Sequence, residues 1–284
     1  MRFLTFICCL MATSVGHAAW YQKTDGVIVD PILDTAGAIL SYTGPNLQPG
    51  AMLDGEDLSS ADLVDADLEG SAMSNINLSG TKMWRSDLRQ ANLTNGDLSG
   101  AFLFRSDLRG ADMSGAVLPS ADFQEVNLEG ATLNSSNFQD VKLWYSNMRD
   151  THIRNSDFSG AKLGNADLLG SDLTDTNLAS AKVYRTVFHY ANISGTDLTN
   201  LEFYADAEWA NAFYYTDNEP IWGANMDPTF RASAGIVALS PGSSPLYPVP
   251  EPGTNLLILI ACFGFAGLMQ RLSRCSSKSL RKCL

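Results

Sequence analysis

The sequence predicts an all-β solenoid, a coil of short straight edges joined by tight corners, on three observations. The first is a large apolar residue every five positions, from Leu53, Leu58 and Leu63 to Ile193, Leu198 and Phe203, thirty-one stops without one insertion. The second is a small side chain two residues before most stops, as at Ala61, Ala66, Ser71, Ala91, Ala101, Ala121 and Ala161. The third is a turn-forming residue two after, as at Gly70, Gly80, Asn95, Gly110, Gly130 and Gly160. A fixed short period marks a repeat architecture. A helix places apolar residues every 3.6 positions and a strand every 2, and a strict five drifts out of phase with both. What fits is an edge that turns one small and one large residue inward, then a corner whose residue tolerates positive φ.

The residue between the small and large positions is usually Asp or Asn, giving ADLVD, ADLEG, SDLRQ, ANLTN, GDLSG and SDLRG. This pattern resembles the pentapeptide-repeat family over more than half the chain. The resemblance implies a right-handed quadrilateral β-helix with four pentapeptides, hence 20 residues, per coil. Residues 51–205 would then form roughly 7 to 8 coils, a rod about 35–40 Å long at ~4.8 Å per coil.

A solenoid must cover both open ends of its core. Residues 19–50, with Val27, Ile28 and Val29 and a turn at Gly44, Pro45 and Asn46, are read as the N-terminal cap. The period fails after Phe203, with Glu208 where a large apolar residue is due. Residues 206–239, with Trp209, Phe213, Tyr214, Tyr215, Trp222 and Phe230, are read as the C-terminal cap, and the same aromatics could instead form a homodimer contact.

The two ends of the chain carry targeting patterns. Residues 1–18 read as a secretory signal peptide, with Arg2, an apolar run from Phe3 to Met11, and Gly16, His17 and Ala18 before the expected cleavage. Residues 240–253 are a Pro-rich linker. An apolar segment over 254–270 follows, then a basic tail over 271–284 that orients it with the tail in the cytoplasm. Val249, Pro250, Glu251 and Pro252, with that apolar run and Arg271 and Arg274, resemble the PEP-CTERM sorting signal of Gram-negative bacteria. The resemblance implies an exosortase-type processing enzyme as partner, a membrane anchor before processing, and a product at or beyond the cell surface. The basic segment, Arg271, Leu272, Ser273 and Arg274, is looser than the family's tight Arg cluster.

All five cysteines lie in the terminal segments, so the processed product has no disulfide or thiolate metal site. All 31 acidic residues lie between Asp25 and Glu251, while six of the 19 basic residues lie in the removed ends, which leaves the product far more acidic than the chain's net −12. Such a surface disfavours nucleic acid as a partner. Acidic rods of the resembled family include DNA mimics that occupy topoisomerases, and the export signal argues against that reading. Only His152 and His189 remain in the product, on different faces, and no nucleophile–base pair, metal-ligand spacing or phosphate loop stands out. No enzymatic activity, cofactor or metal is expected.

Sorted by the implied 20-residue coil, the outward residues fall into columns. One holds Trp84, Phe104, Gln124, Trp144, Gly164, Tyr184 and Tyr204, and the next holds Arg85, Arg105, Glu125, Tyr145, Asn165 and Arg185. Lys82, Lys142, Lys162 and Lys182 flank them on one side and Arg89, Arg109, Arg149 and His189 on the other. The candidate binding stripe is therefore Trp84, Phe104, Trp144, Tyr184 and Tyr204 with Arg85, Arg105 and Arg185. One account makes it a recognition surface, with rings on sugar faces and cations on acidic groups of an exopolysaccharide, or a dock for another envelope protein. The other makes it a packing ladder strengthened by cation–π attraction. The resulting expectation is an exported, non-enzymatic structural or interaction protein of the bacterial envelope or extracellular matrix.

Overall fold

The protein, seen in a computed structural model, is described over residues 19–245. The signal-peptide reading of 1–18, the sorting motif Val249, Pro250, Glu251 and Pro252, the apolar segment over 254–270 and the basic tail over 271–284 lie outside the described residues. Among the described residues no helix is long and apolar enough to cross a membrane.

The chain winds as a right-handed quadrilateral β-helix. On all four sides, from Met52 to Lys182, each ladder residue pairs in parallel with the residue twenty positions on, as in Met52 with Ala72, Asp57 with Asn77, Asp62 with Lys82 and Asp67 with Asp87. One side reads Asp62, Lys82, Phe102, Asp122, Lys142, Lys162, Lys182, Glu202 from coil to coil. The residues before and after each ladder position are buried, so that Ala61 and Leu63, Ala66 and Leu68, and Ala101 and Leu103 are wholly inside. Small and large side chains alternate along the inner wall because two large ones per edge would overfill so narrow a core.

The five-residue period also closes the backbone hydrogen-bond account, since buried main-chain groups must be paired. In one repeat, Leu63 N donates to Lys82 O in the next coil at 2.7 Å, and Lys82 N donates back to Ala61 O at 2.9 Å. The corner amide Asp65 N reaches Trp84 O at 2.9 Å, and Ala66 N closes the turn on Leu63 O at 3.1 Å. The fifth amide, one residue after the large side chain, needs an acceptor from the side chain of the ladder residue. Asp and Asn supply it: Asp57 Oδ1 accepts from Ser59 N at 3.0 Å, Asn77 from Ser79 N at 3.1 Å, Asp97 from Ser99 N at 2.9 Å. At Val117, which cannot accept, the residue two on is Pro119, which has no amide to satisfy.

Residues 19–50 pair with the edge of the first coil. Strand β1 (Tyr21–Gln22) is antiparallel to β2 (Ile28–Val29), and β3 (Leu33–Asp34) is antiparallel to β4 (Ala61–Asp62) in the first complete coil. Asp67 N and Thr35 N donate across this seam to Gln22 O and Ser60 O, both at 2.7 Å. Tyr21, Ile32 and Leu47 are buried over the core.

At the other end the coil does not stop where the sequence period fails. Val187 pairs with Glu208 and Asn192 with Phe213, each twenty-one residues on rather than twenty. One extra residue has entered the coil, so Glu208 takes a ladder position and Trp209 fills the core, stacked on Phe188 at 4.3 Å and 8°. Phe203, the last stop of the period, corrects the expectation. It turns outward, 51% exposed, with φ of 63°, and starts a short 3₁₀ turn over Tyr204–Asp206. Strand β5 (Phe213–Tyr215) pairs in parallel with β6 (Val237–Leu239). Between them lies α1 (Pro228–Ser233), capped by Asp227, which accepts from Phe230 N at 2.8 Å, with Pro228 at its first position. Trp209 and Phe213, two of the aromatics of the possible homodimer contact, are buried.

Among the described residues, Asp150 is the one place where this backbone logic leaves a buried carboxylate oxygen without a partner. It occupies a corner at φ of 54°, and its buried Oδ1 has no hydrogen-bond partner. Burial, then the charges of Glu129 and Asp167, push its carboxyl above the usual carboxylate range, against the opposing pull of Arg149 and His152. A raised folded-state value means that ionisation costs stability, so the cost is absent below the unfolded value of about 3.9 and grows as pH rises through the folded value. Asp150→Asn, which suits the same φ, is expected to melt higher than the native protein at pH 7 and equally at pH 3. Equal melting at both values would show the carboxylate is not penalised.

Candidate functional site

Of the four corners that repeat along the rod, one departs from the rule in all three of its side-chain columns. Its ladder column has Lys82, Phe102, Lys142, Lys162 and Lys182 where the other sides favour Asp and Asn. The following column carries Trp84, Phe104, Trp144 and Tyr184. The corner residues themselves are Asp65, Arg85, Arg105, Glu125, Tyr145, Asn165 and Arg185, all with φ between 52° and 63°.

That last column is costly. A Cβ in the left-handed region meets the following carbonyl oxygen, at about 1–2 kcal/mol per residue, and Gly or Asn is the usual way around it. The other three corner columns are dominated by Gly, Asn, Ser and Asp, as in Gly70, Gly110, Gly130 and Gly170 on the adjacent corner. Here no glycine occurs in seven successive coils, and long side chains take its place. The ladder substitutions have a cost of their own. Asp62 and Asp122 still accept from Val64 N and Gln124 N. The amides of Trp84, Phe104, Trp144, Gly164 and Tyr184 follow Lys or Phe, and none has a partner among the described residues.

The side chains so placed are exposed and ordered by charge. Trp84, Trp144 and Tyr184 are 39, 45 and 40% exposed, and Tyr145 stands out further at 62%. Phe104 is half-buried. Arg85 pairs with Asp65 at 2.7 Å, Arg105 with Glu125 at 2.6 Å, Lys142 with Asp122 at 3.1 Å and Lys182 with Glu202 at 2.9 Å. The hydrogen bond from Arg85 to Asp65 holds the guanidinium still more firmly protonated. Exposed pairs of this kind contribute at most about 1 kcal/mol each, so they orient the cations more than they stabilise the rod. The Arg105 guanidinium lies 4.8 Å from the Phe104 ring centre and that of Arg185 lies 5.1 Å from Tyr184.

The structure thus brings Trp84, Phe104, Trp144, Tyr184, Arg85, Arg105 and Arg185 onto one corner. Tyr204 leaves it. The extra residue of the last coil carries Tyr204 into the 3₁₀ turn, half-buried against Phe230 at 5.0 Å, while Phe203 meets Tyr184 edge-on at 6.0 Å. Two exposed aromatics therefore join the corner that sequence reasoning does not place there. Phe203 is an inward stop of the period, and Phe102, 40% exposed, is recoverable from the sequence as one coil beyond Lys82. Among the described residues, neither Trp84, Phe104 nor Trp144 makes a ring–ring contact, and no cluster of three or more His, Cys, Asp or Glu side chains is placed to hold a metal ion. His189 lies 3.3 Å from Glu208, on a different face from His152.

The family model described as Pentapeptide repeats matches residues 50–80, 73–110, 103–134, 133–168, 153–189 and 166–200. No curated protein matches the chain. Among solved structures the chain is similar to HetL from the cyanobacterium Nostoc sp. Strain PCC 7120, a protein involved in heterocyst differentiation regulation. It is 28% identical, the match covering 59% of this chain and 86% of that one, with a TM-score of 0.24. It is also similar to full-length QnrB1, a plasmid-mediated fluoroquinolone resistance protein (17% identity, 80% of this chain and 96% of that one, TM-score 0.24). A third similarity is to a thylakoid-lumen protein of Arabidopsis thaliana (28% identity, 40% of this chain and 66% of that one, TM-score 0.24).

Proposed function

This chain belongs to the pentapeptide-repeat family, and on that premise we propose that it is an exported, non-enzymatic interaction protein of the bacterial envelope or extracellular matrix. Its aromatic and arginine corner is the surface that contacts an anionic polysaccharide. One observation carries the reading. A corner that Gly or Asn would form without strain is instead built from Arg85, Arg105, Glu125, Tyr145 and Arg185 at positive φ. Fold stability gives no reason for those side chains, and recognition does. The packing-ladder account would need the rings of the adjacent column to be in contact with each other; among the described residues Trp84, Phe104 and Trp144 make no ring–ring contact, and the cation–π contacts are confined to Arg105 on Phe104, Arg185 on Tyr184 and Arg231 on Trp222. Aromatic faces take the C–H face of a sugar ring by apolar contact, and the neighbouring cations take its acidic groups. The acidity of the remaining surface directs an anion to this corner and away from the rest. Export rests on the order of the terminal segments, a signal peptide first and a sorting signal with an exosortase as its reader last.

The test is expression in a bacterium that carries an exosortase. The expected product starts near Ala19, ends near Pro252, lies outside the cytoplasm and is retained by an anionic polysaccharide. A variant with Trp84, Trp144 and Tyr184 all changed to Ala is expected to be exported and to melt as the native protein does. Its retention falls at least ~10-fold, the scale of losing a few exposed apolar contacts. Reduced melting with unchanged retention would return the corner to a packing role, and a full-length cytoplasmic product would remove the export reading.

A further inference from the structure

Two irregularities of the corner coincide at one coil. The aromatic column is interrupted at Gly164, with Trp144 one coil below and Tyr184 one coil above. The coils are in register through Tyr145 N to Gly164 O at 3.1 Å and Asn165 N to Tyr184 O at 2.8 Å. Trp144 and Tyr184 are thus separated by two coil steps, about 10 Å, and that spacing admits one ring-shaped group in contact with both. The gap is not forced by the backbone. A Cβ at Gly164 would meet only Tyr184 O at 3.7 Å, an ordinary contact, and its φ lies outside the left-handed region.

The second irregularity is in the charges. Thirteen lysines and arginines lie within the described residues, and eleven of them have a carboxylate within 4.0 Å. The two without one among the described residues are Lys162, in the same repeat as Gly164, and Arg185, in the coil above. In a chain with this excess of acid, two cations on one corner with no carboxylate partner among the described residues are the exception, and Arg185 instead lies 5.1 Å from the Tyr184 ring centre. Gly164 N, which has no acceptor among the described residues, lies in the same gap.

Resting on the reading of the corner given above, we infer that the gap at Gly164 is a subsite for one carboxylated sugar residue of an anionic polysaccharide. Trp144 and Tyr184 border its ring, and Lys162 and Arg185 take its carboxylate. A neutral sugar would leave both cations without a carboxylate. A small inorganic anion would leave both rings unused. A uronate has the apolar ring face and the charge in one unit.

The probe is polygalacturonate, with dextran as the neutral comparison, and binding of the full chain is measured by calorimetry. The native protein is expected to bind polygalacturonate and not dextran. Gly164→Leu, which fills the gap, and Lys162→Met, which keeps the stem and removes the charge, are each expected to weaken binding at least ~10-fold, the scale of one charge-assisted contact. Arg154→Met, which removes a cation paired with Asp172 on another face, is expected to change nothing. Should Gly164→Leu fail to fold, Lys162→Met and Arg185→Gln carry the same test. If these variants bind like the native protein while the Trp84, Trp144 and Tyr184 triple variant does not, the subsite is wrong and the corner stands. Equal binding of dextran overturns the carboxylate specificity. Binding of neither polymer by the native protein overturns the corner reading and the subsite with it.

Discussion

Phe138→Ala is expected to destabilise the rod by about 3–5 kcal/mol, read as a fall in the denaturant midpoint. Phe138 is wholly buried, stacked on Phe158 at 4.5 Å and 8° and set edge-on to Phe123 at 6.2 Å and 75°. Truncation removes the ring's apolar burial and leaves a cavity in a narrow core whose ladder-bonded backbone resists collapse around it. It also removes two aromatic contacts worth about 0.5–1.5 kcal/mol each beyond area. Stability in a solenoid is a sum of coil and nearest-neighbour terms, so weakening a middle coil should decouple the halves and broaden or split the transition. Phe138→Leu separates volume from stacking, since it fills much of the space and should cost about 1–2 kcal/mol. A loss below about 1 kcal/mol for the Ala variant would mean that the aromatic column is not a main support of the rod.

Trp209→Ala is expected to cost a similar amount and to change the state of association as well. Trp209 is 2% exposed, stacks on Phe188, and donates its indole N–H to Tyr204 O at 2.9 Å. Its removal opens the end of the core over Phe188 and takes away the shorter of the two hydrogen bonds to the Tyr204 carbonyl, leaving only the one from Ala207 N at 3.4 Å. An uncovered solenoid end is an apolar surface beside unpaired ladder groups, and such ends associate. Sedimentation should therefore show concentration-dependent self-association in Trp209→Ala and not in Trp209→Phe, which retains the stack. A monomeric Ala variant that melts with the native protein would show that the rod is closed by something other than this residue.

These two residues also mark where sequence reasoning succeeds and where it stops. Phe138 is a stop of the five-residue period, and its burial follows from counting alone because every coil through the repeat region has the same length. For the same reason a count of twenty residues per coil is enough to place Trp84, Phe104, Trp144 and Tyr184 in one column. Trp209 lies beyond the period; Glu208 at a position due a large apolar residue signals the break, but not that a one-residue insertion carries Trp209 into the core. Phe203 shows the same limit from the other side, since the period assigns it inward and the structure turns it out against Tyr184.

The five-residue period was enough to establish a solenoid and the inward and outward sorting of its residues, and the resemblance to the pentapeptide-repeat family implied the four-sided coil from which the composition of the unusual corner follows. The sorting depends on interactions within a repeat or with an equivalent repeat in the next coil, so a regular period encodes it. The tertiary structure alone decided how the last coil closes, which aromatics reach Tyr184, which cations find a carboxylate and which amides of the corner lack an acceptor. A terminal coil has a neighbour on one side only, so the inward and outward positions of Phe203 and Tyr204 compete through contacts with Trp209 and Phe230 that are remote from the repeat. Lys162 and Lys182 hold the same position in their repeats and differ in what the next coil offers them, Glu202 for one and no carboxylate among the described residues for the other.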